Sequence, residues 1–199
     1  EDLPSEEGAR NQALLRMMGS PDARQIDGLG GAHPLTSKVA IVSSSERPEV
    51  DVDYLFLQVT PETGAISAAQ NCGNMLAAVG PFAIERGLVA AATKQTVVRV
   101  HMVNSDAYAE LVVQTPDGKV TYEGDAKIDG VPGPYAPILQ RYYGTAGAQC
   151  GALLPTGNAI DMIDDVECTL IDNGMPSVLI RAKDLGLSGY EAPEVLEAN

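Results

Sequence analysis

The chain has 199 residues, of which 45% are hydrophobic, and its formal net charge is −14 at pH 7. This length and hydrophobic content suffice to bury a core in one large domain or two small ones. The negative charge, without a cluster of Lys and Arg, argues against nucleic-acid binding, and no apolar run reaches the roughly 18 residues of a membrane span. Three cysteines in no paired or metal-like spacing predict no metal site and favour a reducing compartment, expected to be the cytoplasm.

The first part of the chain predicts one helix followed by strands. The helix is expected to begin at Ser5, which two glutamates follow, and to end at the turn of residues 19–21. A glycine-rich loop at residues 25–31 comes next. Residues 39–42 and 54–59 have the β-branched and aromatic content that is typical of strands.

Residues 70–87 form the most apolar helical segment of the chain. Pro81 either kinks this helix or begins a second one at its favoured first position. Apolar side chains occupy nearly every side of the segment, so we expect strands to wrap around it. Further strands are predicted at residues 97–103, 108–114, 120–122, 136–142, 166–171 and 177–182. The pattern is α/β and dominated by strands.

Two glycine-containing segments do not predict a nucleotide site. Residues 28–31 lack the Gly-x-Gly-x-x-Gly spacing, and residues 154–158 lack the Lys–Ser/Thr step of a phosphate-binding loop. We interpret both segments as tight turns or as backbone that approaches another part of the protein closely.

The helical segment begins with the tetrapeptide Asn-Cys-Gly-Asn at residues 71–74. Cys72 could be a small buried hydrophobe, as free cysteines often are, but its polar neighbours favour a cap or a turn. A helix N-terminus offers unpaired N–H groups and a positive dipole end, which together bind anions and favour ionised thiols. Asn71 and Asn74 can add side-chain donors. The segment therefore predicts an anion pocket with a thiol at its edge.

Residues 71–74, together with Gly-Pro-Phe at 80–82 and Glu-Arg-Gly at 85–87, resemble the PrpF-like family of isomerases, which includes 2-methylaconitate cis–trans isomerase. The resemblance extends to residues 18–31, 35–41, 130–133 and 153–158. Within the family, residues 168–176 and 184–191 are most similar to the oxalomesaconate tautomerases of gallate breakdown. The resemblance implies an α/β (α+β) fold of the diaminopimelate-epimerase type, with two pseudo-symmetric halves, each a sheet wrapped around a central helix.

The resemblance also implies where the halves lie. Residues 1–126 are expected to form the first half without its leading strand, and residues 127–199 the start of a truncated second half. The chain is therefore expected to be a piece of a longer enzyme, to turn over substrate poorly by itself, and to expose apolar surface that the remainder would cover.

The family reaction implied for the longer enzyme moves a proton along a conjugated polycarboxylate, without a metal or an organic cofactor. By resemblance, Lys38 is the active-site lysine and Cys72 the active-site thiol. We expect Lys38 to be the general base and Cys72 the acid or proton relay. The residues expected to contact the substrate are Ser37, Asn71, Gly73, Asn74 and Thr156. The expected partner is a small polycarboxylate, with neither nucleic acid nor membrane, and a homodimer is one expected assembly.

The residues also permit other functions. Without the resemblance, Lys38 would be interpreted as a solvated surface charge. A cysteine hydrolase would use Cys72 as nucleophile and need His33 or His101 within hydrogen-bond reach of the sulfur. Both histidines are instead expected to be exposed or partly buried bystanders. A methylaconitate- or methylitaconate-type isomerase and a non-catalytic binding module with a degenerate site are the remaining alternatives.

Overall fold

The computed structural model describes residues 3–198. One compact unit runs up to Tyr143, and a second begins at Gly144. The helices described are α1 (Glu7–Met18), α2 (Gly73–Glu85) and α3 (Pro193–Glu197). The strands described are β1 (Lys38–Ser44), β2 (Val52–Thr60), β3 (Ala65–Ser67), β4 (Lys94–Met102), β5 (Ala107–Thr115), β6 (Leu139–Tyr143), β7 (Asp161–Ile163), β8 (Val166–Asp172) and β9 (Pro176–Ile180).

The first unit contains a six-stranded mixed sheet in the order β1-β2-β4-β5-β6, with β3 added to β2. Strands β1 and β2 are antiparallel, with Lys38 opposite Gln58. Strand β2 runs parallel to β4, while β4–β5 and β5–β6 are antiparallel. This order brings the beginning of β1 and the late strand β6 into one sheet, although they are far apart in sequence.

Helix α2 packs one side on the sheet and forms the core of this unit. Leu76, Val79 and Ala83 are buried together with Tyr54, Phe56, Val98, Val100 and Leu111 of the strands. Each large apolar side chain buried in this way contributes about 1.5–3 kcal/mol to folding. At Gly80 the helix backbone lies so close to β5 that a Cβ would stand 2.7 Å from a methyl of Val113.

The expectation that α2 is buried on all sides holds for one side only. Ala78 and Phe82 are exposed in the described part of the chain, Phe82 to 41%. The buried positions recur at the three- to four-residue spacing of a helix with a single packed face. Pro81 lies inside the helix and is buried, so it neither ends the helix nor begins a second one.

The glycine-rich loop after α1 packs around a buried glutamine. Helix α1 is capped at its start by Glu6 rather than Ser5, and it ends at Gly19, whose φ of 82° is left-handed. The Gln25 side chain, 2% exposed, accepts hydrogen bonds from the Ala32 N–H and the Ser37 hydroxyl. A Cβ at Gly30 would collide with the Gln25 amide, so glycine is required for this close approach. The loop thus fixes the chain directly before Lys38.

One predicted strand is wrong, and two short strands were not predicted. Residues 120–122 follow the Pro116–Gly118 turn without pairing as a strand. Their contacts go instead to α2 and β5: the Tyr122 hydroxyl donates to Glu85, and the Thr121 N–H to the Gln114 carbonyl. Strands β3 and β7 have three residues each, too few for an alternating pattern to be recognised.

The second unit contains the antiparallel sheet β7-β8-β9. Asp172 at the end of β8 is buried, and its carboxylate accepts from the N–H groups of Gln149, Cys150 and Gly174. Burial by itself raises the pKa of Asp172, but these donors outweigh it and hold the pKa below its ordinary value. Cys168 is buried, whereas Cys150 is exposed.

The predicted halves at residues 1–126 and 127–199 concern internal symmetry, and this division stays a prediction. The compact units separate later, between Tyr143 and Gly144, because β6 pairs with β5 of the first sheet. Among residues 3–198, no helix combines the length and the apolar character needed to cross a membrane.

Candidate active site

Lys38 and Cys72 meet at the point where β1 begins and α2 begins. The Lys38 Nζ lies 3.7 Å from the Cys72 Sγ, within hydrogen-bonding distance for sulfur. Both side chains are half-buried. The two groups are 34 residues apart in sequence, and they meet because α2 packs across β1. An amine and a thiol at this distance can pass a proton between them, so the pair has the groups needed to remove a proton and return it.

Cys72 occupies the N-cap position of α2 without capping the helix. Its backbone is extended, with φ −134° and ψ 109°, and its sulfur accepts no hydrogen bond from the first turn. In the described chain, the N–H groups of Gly73, Asn74 and Met75 have no acceptor. The first turn of a helix carries a partial positive charge. The sulfur therefore faces the Lys38 amine while free N–H donors stand beside it.

The two asparagines of the tetrapeptide differ in their surroundings. The Asn71 amide donates to the Ser105 hydroxyl at 2.6 Å, while its Oδ1 is buried without a partner in the described part of the chain. Asn74 is exposed. Because amide N and O positions can exchange by a 180° turn, Asn71 can offer either a donor or an acceptor to Ser105.

Ser37 and Thr156 are engaged within the protein. Ser37 is fully buried, and its hydroxyl donates to Gln25 at 2.7 Å. Ser37 follows the short 3₁₀ turn of residues 34–36, directly before β1, and its side chain contacts Gln25 whereas that of Lys38 contacts Cys72. Thr156 belongs to the second unit, where its hydroxyl donates to Asp161 at 2.7 Å. Their substrate-binding roles stay predictions.

Three residues at this site were not found from the sequence. The Tyr54 hydroxyl donates to the Cys72 carbonyl at 3.1 Å. The Gln140 amide donates to the Gly73 carbonyl at 3.1 Å, and the Tyr142 hydroxyl donates to the Gln140 Oε1 at 2.5 Å. Gln140 and Tyr142 share a face because they are two residues apart on β6. That spacing was visible in the sequence, but the position of β6 in the sheet was not.

The two tyrosines remain hydrogen-bond donors at neutral pH. Burial raises the pKa of Tyr54, and the neighbouring Cys72 and Tyr142 raise it further. Burial likewise raises the pKa of Tyr142, with an added contribution from Cys72. A thiolate close to either phenol disfavours a second negative charge. Both hydroxyls therefore keep their protons at neutral pH.

An apolar cavity of about 270 Å³ opens beside the first turn of α2. Its polar lining comes from Asn74 and Gln140, and much of the rest from Ala77, Ile128 and Tyr135. Carboxylates lose hydration in such surroundings, so the charged ends of a polycarboxylate fit the helix terminus and the Lys38 side better than this cavity.

The histidines are bonded elsewhere, and one expectation about them is wrong. His101 is 4% exposed, with its ring nitrogens 3.0 Å from Asp53 and 2.8 Å from Asp106. His33 is exposed, and its Nδ1 accepts from the Leu35 N–H. His101 is therefore a buried residue held between two carboxylates. In the described chain the Cys72 sulfur is hydrogen-bonded to Lys38 and to neither histidine, which disfavours the cysteine hydrolase alternative.

Alkylation of the three cysteines tests the environment of Cys72. We expect iodoacetamide to modify Cys72 faster than Cys150 near neutral pH, although Cys150 is exposed and Cys72 half-buried. The reason is that Cys72 lies beside the Lys38 amine at a helix N-terminus, the kind of environment in which reactive cysteines are found. Cys168 is buried, so its alkylation rate serves as the reference for an inaccessible thiol. Mass spectrometry of the labelled peptides over time measures the three rates. A rate for Cys72 at or below that of Cys150 would indicate an inert, partly buried thiol.

The amino-acid sequence is similar along its whole length to curated enzymes. It is 60% identical over 198 residues to the (4E)-oxalomesaconate Delta-isomerase of Novosphingobium sp. strain KA1. It is 56% identical over 199 residues to the 4-oxalomesaconate tautomerase of Pseudomonas putida strain KT2440. The alignments cover 100% of this chain but 56% and 55% of the relatives. The chain thus spans about half the length of the curated relatives it matches. The 3-methylitaconate isomerase of Eubacterium barkeri is 44% identical over 202 residues, and 53% of it is covered.

The structure is similar to a crystal structure of methylitaconate-delta-isomerase, with a TM-score of 0.83 and 44% sequence identity. This match covers 100% of the chain and 52% of the solved one. It confirms the predicted α/β fold of the diaminopimelate-epimerase type. A family model described as PrpF protein matches residues 1–199. The chain therefore belongs to the PrpF family.

Proposed function

We propose that the protein carrying this chain is a cofactor-independent isomerase that moves a proton within an unsaturated tricarboxylate. Keto–enol tautomerisation of 4-oxalomesaconate is the favoured reaction. The observation that carries the proposal is the 3.7 Å contact between Lys38 and Cys72 at the free N-terminus of α2. The similarity to the oxalomesaconate isomerase and the oxalomesaconate tautomerase supports the choice of substrate.

The proposed reaction needs one base, one acid and a site for negative charge. The Lys38 amine takes a proton from the carbon next to the oxo group. The electron pair of that C–H bond forms a C=C bond, and the carbonyl electrons move onto oxygen. The enolate oxygen and a substrate carboxylate accept hydrogen bonds from the N–H groups of Gly73 and Asn74. Cys72 then delivers a proton to oxygen or to a distal carbon, and the amine and thiol exchange protons to restore the start.

An allylic proton shift is the second candidate reaction. The same base and acid would move a proton between two carbons of a methylaconitate or methylitaconate, with no change in the charged contacts. The 3-methylitaconate isomerase of Eubacterium barkeri and the solved methylitaconate-delta-isomerase favour this candidate. The two reactions differ in where the proton returns, which depends on the shape of the substrate beyond the reacting carbon.

We place this activity in the breakdown of aromatic acids such as gallate, and in the cytoplasm. Homodimer formation stays a prediction. A non-catalytic binding module would keep the anion-binding N-terminus of α2 but would not need the Lys38 amine against the thiol.

A substrate panel in deuterated solvent tests the proposed function. The assay uses the longest protein that carries this sequence, with 4-oxalomesaconate, 2-methylaconitate and 3-methylitaconate as substrates. We expect a change in conjugated absorbance and incorporation of solvent deuterium, fastest with 4-oxalomesaconate. Preference for either methylated acid would select the allylic shift instead. Binding of all three acids without absorbance change or deuterium incorporation would indicate a binding module.

A further inference from the structure

The two peptide groups that begin α2 each receive an unusual additional hydrogen bond. The Cys72 carbonyl already accepts from the Leu76 N–H at 2.9 Å, as in any helix. It also accepts from the Tyr54 hydroxyl at 3.1 Å. The next carbonyl, that of Gly73, accepts from the Gln140 amide at 3.1 Å. Side chains of two separate strands, β2 and β6, therefore contact successive carbonyls of one helical turn.

A peptide group is planar, so the direction of its carbonyl fixes the direction of its N–H. The carbonyl of Cys72 shares a plane with the N–H of Gly73. The carbonyl of Gly73 shares one with the N–H of Asn74. These two N–H groups are the donors that the proposed reaction assigns to the anion. Additional donors on the carbonyl oxygens also polarise the peptide groups, which strengthens their N–H groups as donors.

Tyr142 holds the second of these contacts in place. Its hydroxyl donates to the Gln140 Oε1, which leaves the Gln140 amide nitrogen turned toward the Gly73 carbonyl. A Cβ on Gly73 would stand 2.9 Å from the Tyr142 oxygen, so a larger residue would push this tyrosine away. Glycine at position 73 thus leaves room for Tyr142 to hold Gln140 against the Gly73 carbonyl.

We propose that Tyr54 and Gln140 are positioning residues of this site, which aim two successive N–H groups at a bound oxygen anion. The Tyr54 hydroxyl sets the N–H of Gly73, and the Gln140 amide sets that of Asn74. The proposal rests on the proposed function, because it takes the anion to be a carboxylate or enolate oxygen of the substrate. It adds side chains that touch neither the substrate nor the reacting atoms.

Amide NMR separates the two contacts. The probe is tricarballylate, a saturated tricarboxylate that cannot tautomerise, added to ¹⁵N-labelled protein. In the wild type we expect the amide signals of Gly73 and Asn74 to move as the probe binds. Tyr54→Phe should remove most of the Gly73 response and keep that of Asn74, whereas Gln140→Leu should do the reverse. Each variant should weaken tricarballylate binding by about threefold to tenfold, the range of one net hydrogen bond.

The matched control is Tyr143→Phe. Tyr143 is adjacent to Tyr142 but lies on the other face of β6, where its hydroxyl donates to Glu110. This variant should bind tricarballylate like the wild type and keep both amide responses. Unchanged signals in the rest of the spectrum show that each variant is folded. Two independent variants keep the test open if one of them fails to fold.

The outcomes distinguish this inference from the proposed function. No response of either amide in the wild type, or equal loss of both in each variant, overturns the inference. If the enzyme turns over a substrate of the panel but each variant does not lose only its own amide response, the positioning role is overturned and the proposed function stands. Separate loss of the two responses without turnover of any substrate would support the positioning role and reject the tautomerase.

Discussion

Replacing Lys38 by methionine is expected to lower turnover of the tricarboxylate by about 10²–10⁴-fold, the usual cost of losing a general base. Methionine keeps an unbranched side chain of similar length but has no group that accepts a proton. Exchange of substrate hydrogens with deuterated solvent should fall by a similar factor, because the same amine starts both processes. The measurement compares absorbance and deuterium incorporation in the longest protein that carries the sequence.

The control for this variant is Lys119→Met. Lys119 is exposed beyond the Pro116–Gly118 turn and carries the same charge. It should leave turnover and exchange unchanged, which separates loss of the base from loss of one positive charge. Circular dichroism should show both variants folded, because Lys38 is only half-buried. Wild-type exchange in a folded Lys38→Met protein would mean that another group removes the proton.

The local sequence predicted those elements whose pattern is contained within one segment. Glycine at position 19 ends α1 in a left-handed conformation, as the Gly-Ser-Pro turn predicts. The strand at residues 54–59 and the helix after Cys72 follow from apolar spacing, with ends shifted by a few residues. The free N-terminus of α2 followed in the same way, because caps and turns are local properties of Asn, Cys and Gly, and its role as an anion pocket stays a prediction.

The partners of that pocket depend on contacts between distant segments. Lys38 was a candidate only through the family resemblance, since nothing in its own segment distinguishes it from a surface lysine. Gln140 contacts Gly73 across 67 residues, a contact set by the order of strands in the sheet. Periodicity gives the faces of a strand but not its neighbours.

Tertiary packing also buries two polar side chains whose partners lie in other segments. Ser37 was expected to contact substrate, and that role stays a prediction; its buried hydroxyl donates to Gln25, twelve residues earlier in the chain. His101 was expected to be a bystander in a strand, yet it is buried between Asp53 and Asp106. A polar residue in a strand is buried when partners from other segments satisfy it, and a single strand does not show those partners.

Replacing Cys72 by serine is expected to separate the two halves of the reaction. An amine is a stronger base than a thiolate, so proton removal should remain with Lys38. Serine has a similar size but is a much weaker acid than cysteine, so delivery of the proton to the new position should fail. Turnover should fall by about 10²–10⁴-fold, the range for a lost general acid, while exchange at the carbon that Lys38 deprotonates remains measurable.

Two further variants are compared with Cys72→Ser: Cys150→Ser controls for loss of a thiol elsewhere, and Lys38→Met shows the effect of removing the amine. Cys150 is exposed in the second unit, so its replacement should leave turnover and exchange unchanged. Mass spectrometry of substrate recovered from deuterated solvent measures exchange, and absorbance measures turnover. If Lys38→Met retains exchange and Cys72→Ser abolishes it, the roles are reversed and the thiolate is the base. The 3.7 Å contact permits either direction of proton movement, so the position of the deuterium, rather than the distance, decides which group acts first.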